Sequence, residues 1–179
     1  IETRFLFVSS EDYFGSCDRI MDKNQNQLGN LIAAGILLGM GAAGFFDGIV
    51  LHQILQWHHM LTNVRPATGM PNFEVNTFWD GLFHALDYAL TVAGVTFLWR
   101  AASNNNTPLS LKTFVGSLLI GAGSFNLIEG IIDHQILGIH HVKPGPNQLA
   151  WDIGFLALGL ALAASGWILL QTKPQNATT

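Results

Sequence analysis

Four uncharged runs limit what this chain can fold into: Leu31 to Phe46, Tyr88 to Trp99, Thr113 to Ile128 and Ile153 to Thr172. Each extends through a few polar neighbours to the ~20 residues that cross a bilayer core. A hydrophobic fraction of 49% with only 11% charged residues is unusual for a soluble protein and fits the same reading. The length of 179 residues is enough for one domain. The expectation is an all-α integral membrane four-helix bundle whose first partner is the lipid bilayer.

Breakers set the expected elements. Pro66, Gly69 and Pro71 fall in a loop over 60–77, Asn104-Asn-Asn-Thr-Pro108 in a turn, and Lys143-Pro-Gly-Pro146 between the last two helices. Helices are expected near 30–59, 78–102, 109–141 and 148–171. Asn76 or Thr77 would cap the second, and Thr107 with Pro108 would open the third. Gly35, Gly39, Gly41 and Gly44 form a small-residue face on the first helix, on which another helix can approach closely. Such faces also leave room for a homo-oligomer or a membrane redox partner.

Residues 28–103 then form a first transmembrane hairpin, 104–173 a second, and 174–179 a tail. Residues 1–27 are polar with five acidic side chains, which fits neither a secretory signal nor a span, so a disordered cytoplasmic tail is expected. Met21-Asp-Lys-Asn-Gln-Asn-Gln also reads as a natural start, which would put residues 1–20 upstream of the native chain. Arg4, Arg19, Lys23, Arg100, Lys112 and Lys173 fall on the terminal side, against Arg65 and Lys143 on the other. That bias predicts both termini in the cytoplasm. A net charge of −4 without a basic run argues against nucleic acid as a partner. A single cysteine, Cys17, allows no internal disulfide.

The polar residues inside the spans are duplicated. Asp47-Gly-Ile-Val-Leu-His52-Gln-Ile-Leu-Gln-Trp-His58-His59 recurs 82 positions later as Glu129-Gly-Ile-Ile-Asp133-His134-Gln-Ile-Leu-Gly-Ile-His140-His141. Windows 44–59 and 126–141 share eight of 16 positions, and six of the seven histidines lie in the two copies. The other helices correspond at an offset of 72, with Trp79-Asp80 matching Trp151-Asp152 and Phe83 matching Phe155. Two hairpins of the same orientation would form a parallel repeat about an axis along the membrane normal.

At about 100° per residue, His58, His59 and His52 fall within about 140° of Asp47 on a continuous helix, and the second copy repeats that face. Asp80, His84 and Asp87 form one stripe on the second helix. A charge facing lipid at mid-bilayer costs about 2.5–3.5 kcal/mol, so these faces are expected to converge inside the bundle. On continuous helices His52 would lie roughly 9–10 Å from His58 and His59, too far to share an ion. Two layers are therefore expected. The outer one holds His58, His59, His140, His141, Asp80 and Asp152, and the inner one His52, His134, His84 and Asp87. Asp47 and Glu129 would lie deeper. Asp133 either joins them or acts as counter-charge to His134. The halves differ where His84 and Asp87 correspond to Leu156 and Gly159. Any two ions should then be inequivalent, and a substrate pocket should open on the side of the fourth helix, at Gly154 and Gly159.

Imidazole and carboxylate together suit a non-haem transition-metal site holding iron, copper or zinc, one ion or two. An ion also gives buried carboxylates a reason to stay ionised. Such a centre would serve a membrane oxidase or hydroxylase. One alternative is transition-metal delivery or transport, and another is a bis-histidine haem electron carrier through His52 and His134. Haem explains the carboxylates less well. The bland reading is an interfacial and structural histidine network, with Trp57, Trp79 and Trp151 as ordinary belt aromatics. Gln53 and Gln135 read as supporting donors rather than ligands.

The duplicated pattern D/E-G-I-x-x-H-Q-I-L-x-x-H-H, with Trp-Asp at 79–80 and 151–152, resembles a bacterial family of predicted membrane proteins known as domain of unknown function 2243. The resemblance covers about residues 28–172. It implies a four-helix integral membrane protein and carries no activity with it.

Overall fold

A computed structural model describes residues 10–103 and 107–172, with side chains from Met21 onward. The elements are α1 (Ser10–Phe45), a π-helical segment π1 (Phe46–Ile54), α2 (Met70–Ala102), α3 (Leu111–Glu129), a second π-helical segment π2 (Gly130–Ile136) and α4 (Gln148–Gln171). Four stretches, Met21–Ile54, Met70–Ala102, Leu111–Ile136 and Gln148–Gln171, are long and apolar enough to cross a membrane. No strand occurs among the described residues.

The helices lie in a row rather than in a closed ring. α1 packs on α2 and on α3, and α3 packs on α4, while no Cα of α2 comes within 8 Å of α3 or α4. The row is thus α2–α1–α3–α4. Its centre is the α1–α3 crossing, where a Cβ added at Gly39 would strike the Leu118 carbonyl oxygen and one at Gly121 the Ile36 carbonyl oxygen. Lipid gives helices no hydrophobic reason to associate, so this backbone contact, with its dispersion energy, is what holds the centre. The flanking helices turn Leu82, Leu86 and Val92 on α2, and Ile153, Leu160 and Trp167 on α4, outward.

Several boundaries differ from expectation. α2 begins at Met70 rather than near residue 78, because Gly69 takes φ 85° and Pro71 sits in the first turn, where a missing N–H costs nothing. Asn76 is therefore not a cap. Its buried carboxamide accepts from the Leu61 N–H at 3.0 Å and donates to the carbonyls of Arg65 at 2.7 Å and Asn72 at 3.0 Å, clamping the preceding loop onto α2. Ser110, not Thr107, caps α3, accepting from the Thr113 N–H at 3.2 Å. The Thr107 hydroxyl instead donates to Gln27 Oε1 at 2.5 Å. Helix α1 starts at Ser10, so residues 10–27 are helical where a disordered tail was expected. Residues 1–9, 104–106 and 173–179, including the 174–179 tail, lie outside the described residues.

The largest difference concerns the ends of the first and third spans, expected to run on to His59 and His141. They stop at Ile54 and Ile136. Leu55 N–H bonds the Val50 carbonyl at 2.8 Å and Trp57 N–H the Leu51 carbonyl at 2.9 Å, with Gln56 left-handed at φ 50° between them. Leu137, Ile139 and Gly138 (φ 58°) repeat the arrangement with the Ile132 and Asp133 carbonyls at 2.8 and 3.0 Å. A left-handed residue flanked by such bonds stops a helix and reverses the chain. The double histidines consequently fold back over the helix ends.

Candidate metal centre

The π-helical segments place the first ligand candidates. In an α-helix, residues five apart point well away from each other, whereas i→i+5 bonding widens the turn until they share a face. Asp47 and His52 are five apart, and so are Glu129 and His134. In π1 this brings Asp47 Oδ2 to 2.9 Å from His52 Nε2.

The fold-back supplies the rest. The rings of His52 and His58 lie 4.4 Å apart, those of His58 and His140 stack at 4.7 Å, and His140 and His134 are 4.8 Å apart. The expected two layers are one row: His52, His58, His140, His134. The predicted gap between His52 and His58 assumed a helix that continues, and it does not. Asp47 and Glu129 are likewise not a deeper layer. Asp47 Oδ2 is 3.7 Å from His58 Nε2, and Glu129 Oε1 is 3.6 Å from His140 Nε2.

Hydrogen bonds at the far side of each ring decide which nitrogen faces inward. His58 Nδ1 meets the Val142 carbonyl at 2.8 Å and His140 Nδ1 the Met60 carbonyl at 3.0 Å, a reciprocal exchange between the two halves. A carbonyl oxygen only accepts, so Nδ1 carries the proton of the neutral ring and Nε2 keeps its lone pair. His52 Nδ1 faces Asp80 Oδ1 at 3.0 Å with the same consequence. Burial, reinforced by the imidazoles of His58 and His134, holds the His140 pKa well below its ordinary value, so this ring is neutral.

The inward atoms are left without hydrogen bonds. Nε2 of His52, His58, His134 and His140, and both carboxylate oxygens of Asp47 and of Glu129, are buried without a hydrogen-bond partner. The 2.9 Å approach of Asp47 Oδ2 to His52 Nε2 lacks hydrogen-bond alignment. Donor atoms of His52, His58 and His140 lie within 4.8 Å of one another, as do those of Glu129, His134 and His140. An ion with bonds of about 2.0–2.2 Å holds its ligand atoms roughly 3–4 Å apart, so small movements close either set around a cation.

Other residues expected at the site stand around it. His59 and His141 each contact a carboxylate through Nδ1 at 2.6 Å, Asp80 and Asp152 respectively. Those carboxylates also accept from backbone N–H groups, Asp80 from Met60 at 2.9 Å and Asp152 from Val142 at 3.0 Å. Gln53 donates to Asp80 at 3.3 Å. His59, His141, Asp80 and Asp152 therefore lock the fold-back from outside both donor groups, and Asp80 also orients His52. His84 packs over Gly48, 3.9 Å from Asp87, whose buried carboxylate fills the space beside Gly44 without a hydrogen-bond partner. This pair also lies outside the donor groups. Asp133 is half-buried on the wall of a cavity rather than paired with His134.

That cavity, of about 550 Å³, lies between α2 and α3 and not beside α4, where a pocket was expected. Gly159 leaves no space there, because Asn126 and Leu127 occupy it. Sequence reasoning missed the Met60 and Val142 carbonyls, which no side-chain pattern reports. It also missed the π segments, although the five-residue spacing from acid to histidine, present twice, was a signal for them.

Comparison with curated proteins and with solved structures returned no match. A model of the family described as predicted membrane protein (DUF2243) matches residues 34–173, which takes in both hairpins and every residue of the histidine row. Over that span, and with four helices suited to a bilayer, the chain belongs to this family of predicted membrane proteins.

Proposed function

We propose that this membrane protein holds one or two transition-metal ions in a non-haem centre built from His52, His58, His134, His140, Asp47 and Glu129, and uses it in redox chemistry as an oxidase or hydroxylase. The observation that carries the reading is the convergence of four inward Nε2 atoms and two carboxylates, all buried and all without partners. A buried carboxylate that is ionised and lacks a donor carries uncompensated negative charge, which a bound cation would cancel. Asp80 on His52 and the backbone carbonyls of Val142 and Met60 on His58 and His140 supply the outer hydrogen bonds that metal-binding imidazoles normally have. His140 belongs to both donor groups, so its one available Nε2 lone pair could serve an ion in either. Rings 4.4–4.8 Å apart along the row favour ions over a macrocycle between them.

The reading extends to placement. The excess of Lys and Arg on the terminal side supports cytoplasmic termini in a bacterial inner membrane, with the centre toward the opposite face. The two hairpins would be related by duplication, which the reciprocal Val142 and Met60 contacts support. Delivery of metal to a partner is the second reading, favoured by the uncharged stretch from Leu31 to Phe46, which leaves no polar path toward the cytoplasm.

Elemental analysis of detergent-purified protein tests the metal reading, with His52→Gln and His134→Gln variants beside it. Bound iron or copper, reduced in either variant, with oxygen consumption on adding an organic reductant, is the expected result. Tight zinc without turnover would move the assignment to delivery. Metal-free protein would leave an imidazolium–carboxylate network and end the metal reading.

A further inference from the structure

The cavity beside Glu129 is the feature that the metal centre leaves unexplained. No Cα of α2 comes within 8 Å of α3, and a gap of about 550 Å³ stands over α1 between them. Its walls are apolar, with Leu82, Leu86, Phe83 and Phe125 among them, and among the described residues its charged groups are Glu129 and Asp133. That volume suits a ligand of small-molecule size. Leu82, Leu86 and Ile128 on its walls are about half exposed, on spans that lie in lipid, so its mouth faces the bilayer. A ligand reaching it comes dissolved in the membrane.

The inner end of the cavity specifies the head of that ligand. Glu129 is 4% exposed and lines the cavity, yet neither of its carboxylate oxygens has a hydrogen-bond partner. A carboxyl group offers an accepting oxygen in either protonation state, and both oxygens of Glu129 lack a partner, so the complementary head carries O–H donors. Phe83 and Phe125, with ring centroids 5.9 Å apart at 56°, offer aromatic faces and edges near that end, which favour a flat ring over an aliphatic chain.

The corresponding place in the other half is built differently. Trp57 stands where the cavity has Ile139, and Lys143 where it has Leu61. Trp57 lies 5.1 Å from Trp151, and the Lys143 ammonium sits 4.5 Å from the Trp57 ring and 5.4 Å from that of Trp151. Asp133, the second carboxylate of the cavity, corresponds to Leu51. Acidic and apolar features thus collect at one end of the histidine row.

We propose that this cavity binds a membrane-dissolved quinol, a dihydroxylated ring with an apolar tail, whose hydroxyls are received by Glu129 and Asp133 and whose tail leaves between α2 and α3 toward lipid. The proposal deepens the metal-centre reading by naming a substrate class for it. The binding itself is independent of metal.

The experiment is equilibrium binding of a decyl-tailed benzoquinol to the full chain in lipid nanodiscs, with metal content measured on the same samples. The dimethyl ether of that quinol and decanol are the comparison ligands, one lacking the hydroxyls and the other the ring. Saturable quinol binding is expected, about tenfold weaker for the ether and absent for decanol. Leu86→Trp, which fills the cavity from a lipid-facing position, and Ile139→Trp, which copies the other half, should each abolish quinol binding while metal content stays at the wild-type level. Binding that survives both tryptophans, or equal binding of all three ligands, overturns the proposal. Wild-type protein that binds quinol without metal breaks the metal reading alone. Wild-type protein that binds metal but no quinol breaks this one alone.

Discussion

The two ends of the histidine row share a plan and differ in its execution. At the Asp47 end, His52 is held by Asp80 at 3.0 Å and faces a short carboxylate at 2.9 Å, with Asp87 and His84 packed close behind on Gly44 and Gly48. At the Glu129 end, His134 lies 3.6 Å from Asp152, beyond a hydrogen bond, and the longer carboxylate lines an open cavity. Leu156 packs on Gly130 where His84 packs on Gly48. One end is rigid and closed, the other looser and accessible. Two matching sets of histidines and carboxylates thus sit in unlike surroundings, and on the proposed reading the closed end would hold an ion while the open end would meet a substrate.

The largest expected effect comes from the residue common to both ends. His140→Ala should reduce metal per chain at both donor groups, whereas His52→Ala should spare the Glu129 group. Elemental analysis of the two variants reads this directly, and equal partial loss in both would erase the distinction drawn between a shared and an end ligand. Next come the supporting carboxylates. Asp80→Asn should weaken metal affinity about 10–100-fold, as loss of an outer-shell partner does. Asp152→Asn should weaken it less, because its contact with His134 is longer. Competition with a chelator of known affinity ranks them, and the reverse order would break the rigid-versus-loose comparison.

A smaller effect is expected from acid. Burial depresses the pKa of His140, so in the unfolded chain this ring takes up a proton near its ordinary 6.5 while in the folded protein it does not. The stability tied to keeping it neutral is fully present above about pH 6.5 and is lost as pH falls below that value. Thermal unfolding of metal-stripped protein should show this acid limb, and His140→Asn should flatten it. The smallest effect concerns the helix stops. Gly138→Ala forces a Cβ into the left-handed region and should cost about 1–2 kcal/mol, while Gln56→Gly should relieve about that amount or less at the matching position. Melting temperatures of the two single variants check both signs.

The four spans were legible because bilayer thickness sets a length that composition alone reveals, and α4 falls at the expected residues 148–171. The identities of the polar residues inside the spans were legible for a related reason: Asp47, His52, Glu129 and His134 have no place facing lipid. Their depth was not. A projection at α-helical pitch put Asp47 and His52 on one face about 140° wide but His52 and His58 far apart along the axis; the π segment narrows the first separation and the stop at Gln56 reverses the second. Gly138 marks the second stop in the sequence, but a glutamine holds the same backbone at the first. Asn76 illustrates a further limit, since a loop clamp and a helix cap use the same residue type. The row-like packing depends on which helices meet at Gly39 and Gly121, and a list of small residues does not name their partners.

The central claim is that the inward imidazoles and carboxylates close around metal ions. X-ray absorption on protein purified with its native metal tests it most directly. The account predicts one or two transition-metal ions per chain, each bound only by nitrogen and oxygen at about 2.0–2.2 Å, with the multiple-scattering signature of imidazole. Protein that carries no ion, or an ion bound without imidazole, would contradict it.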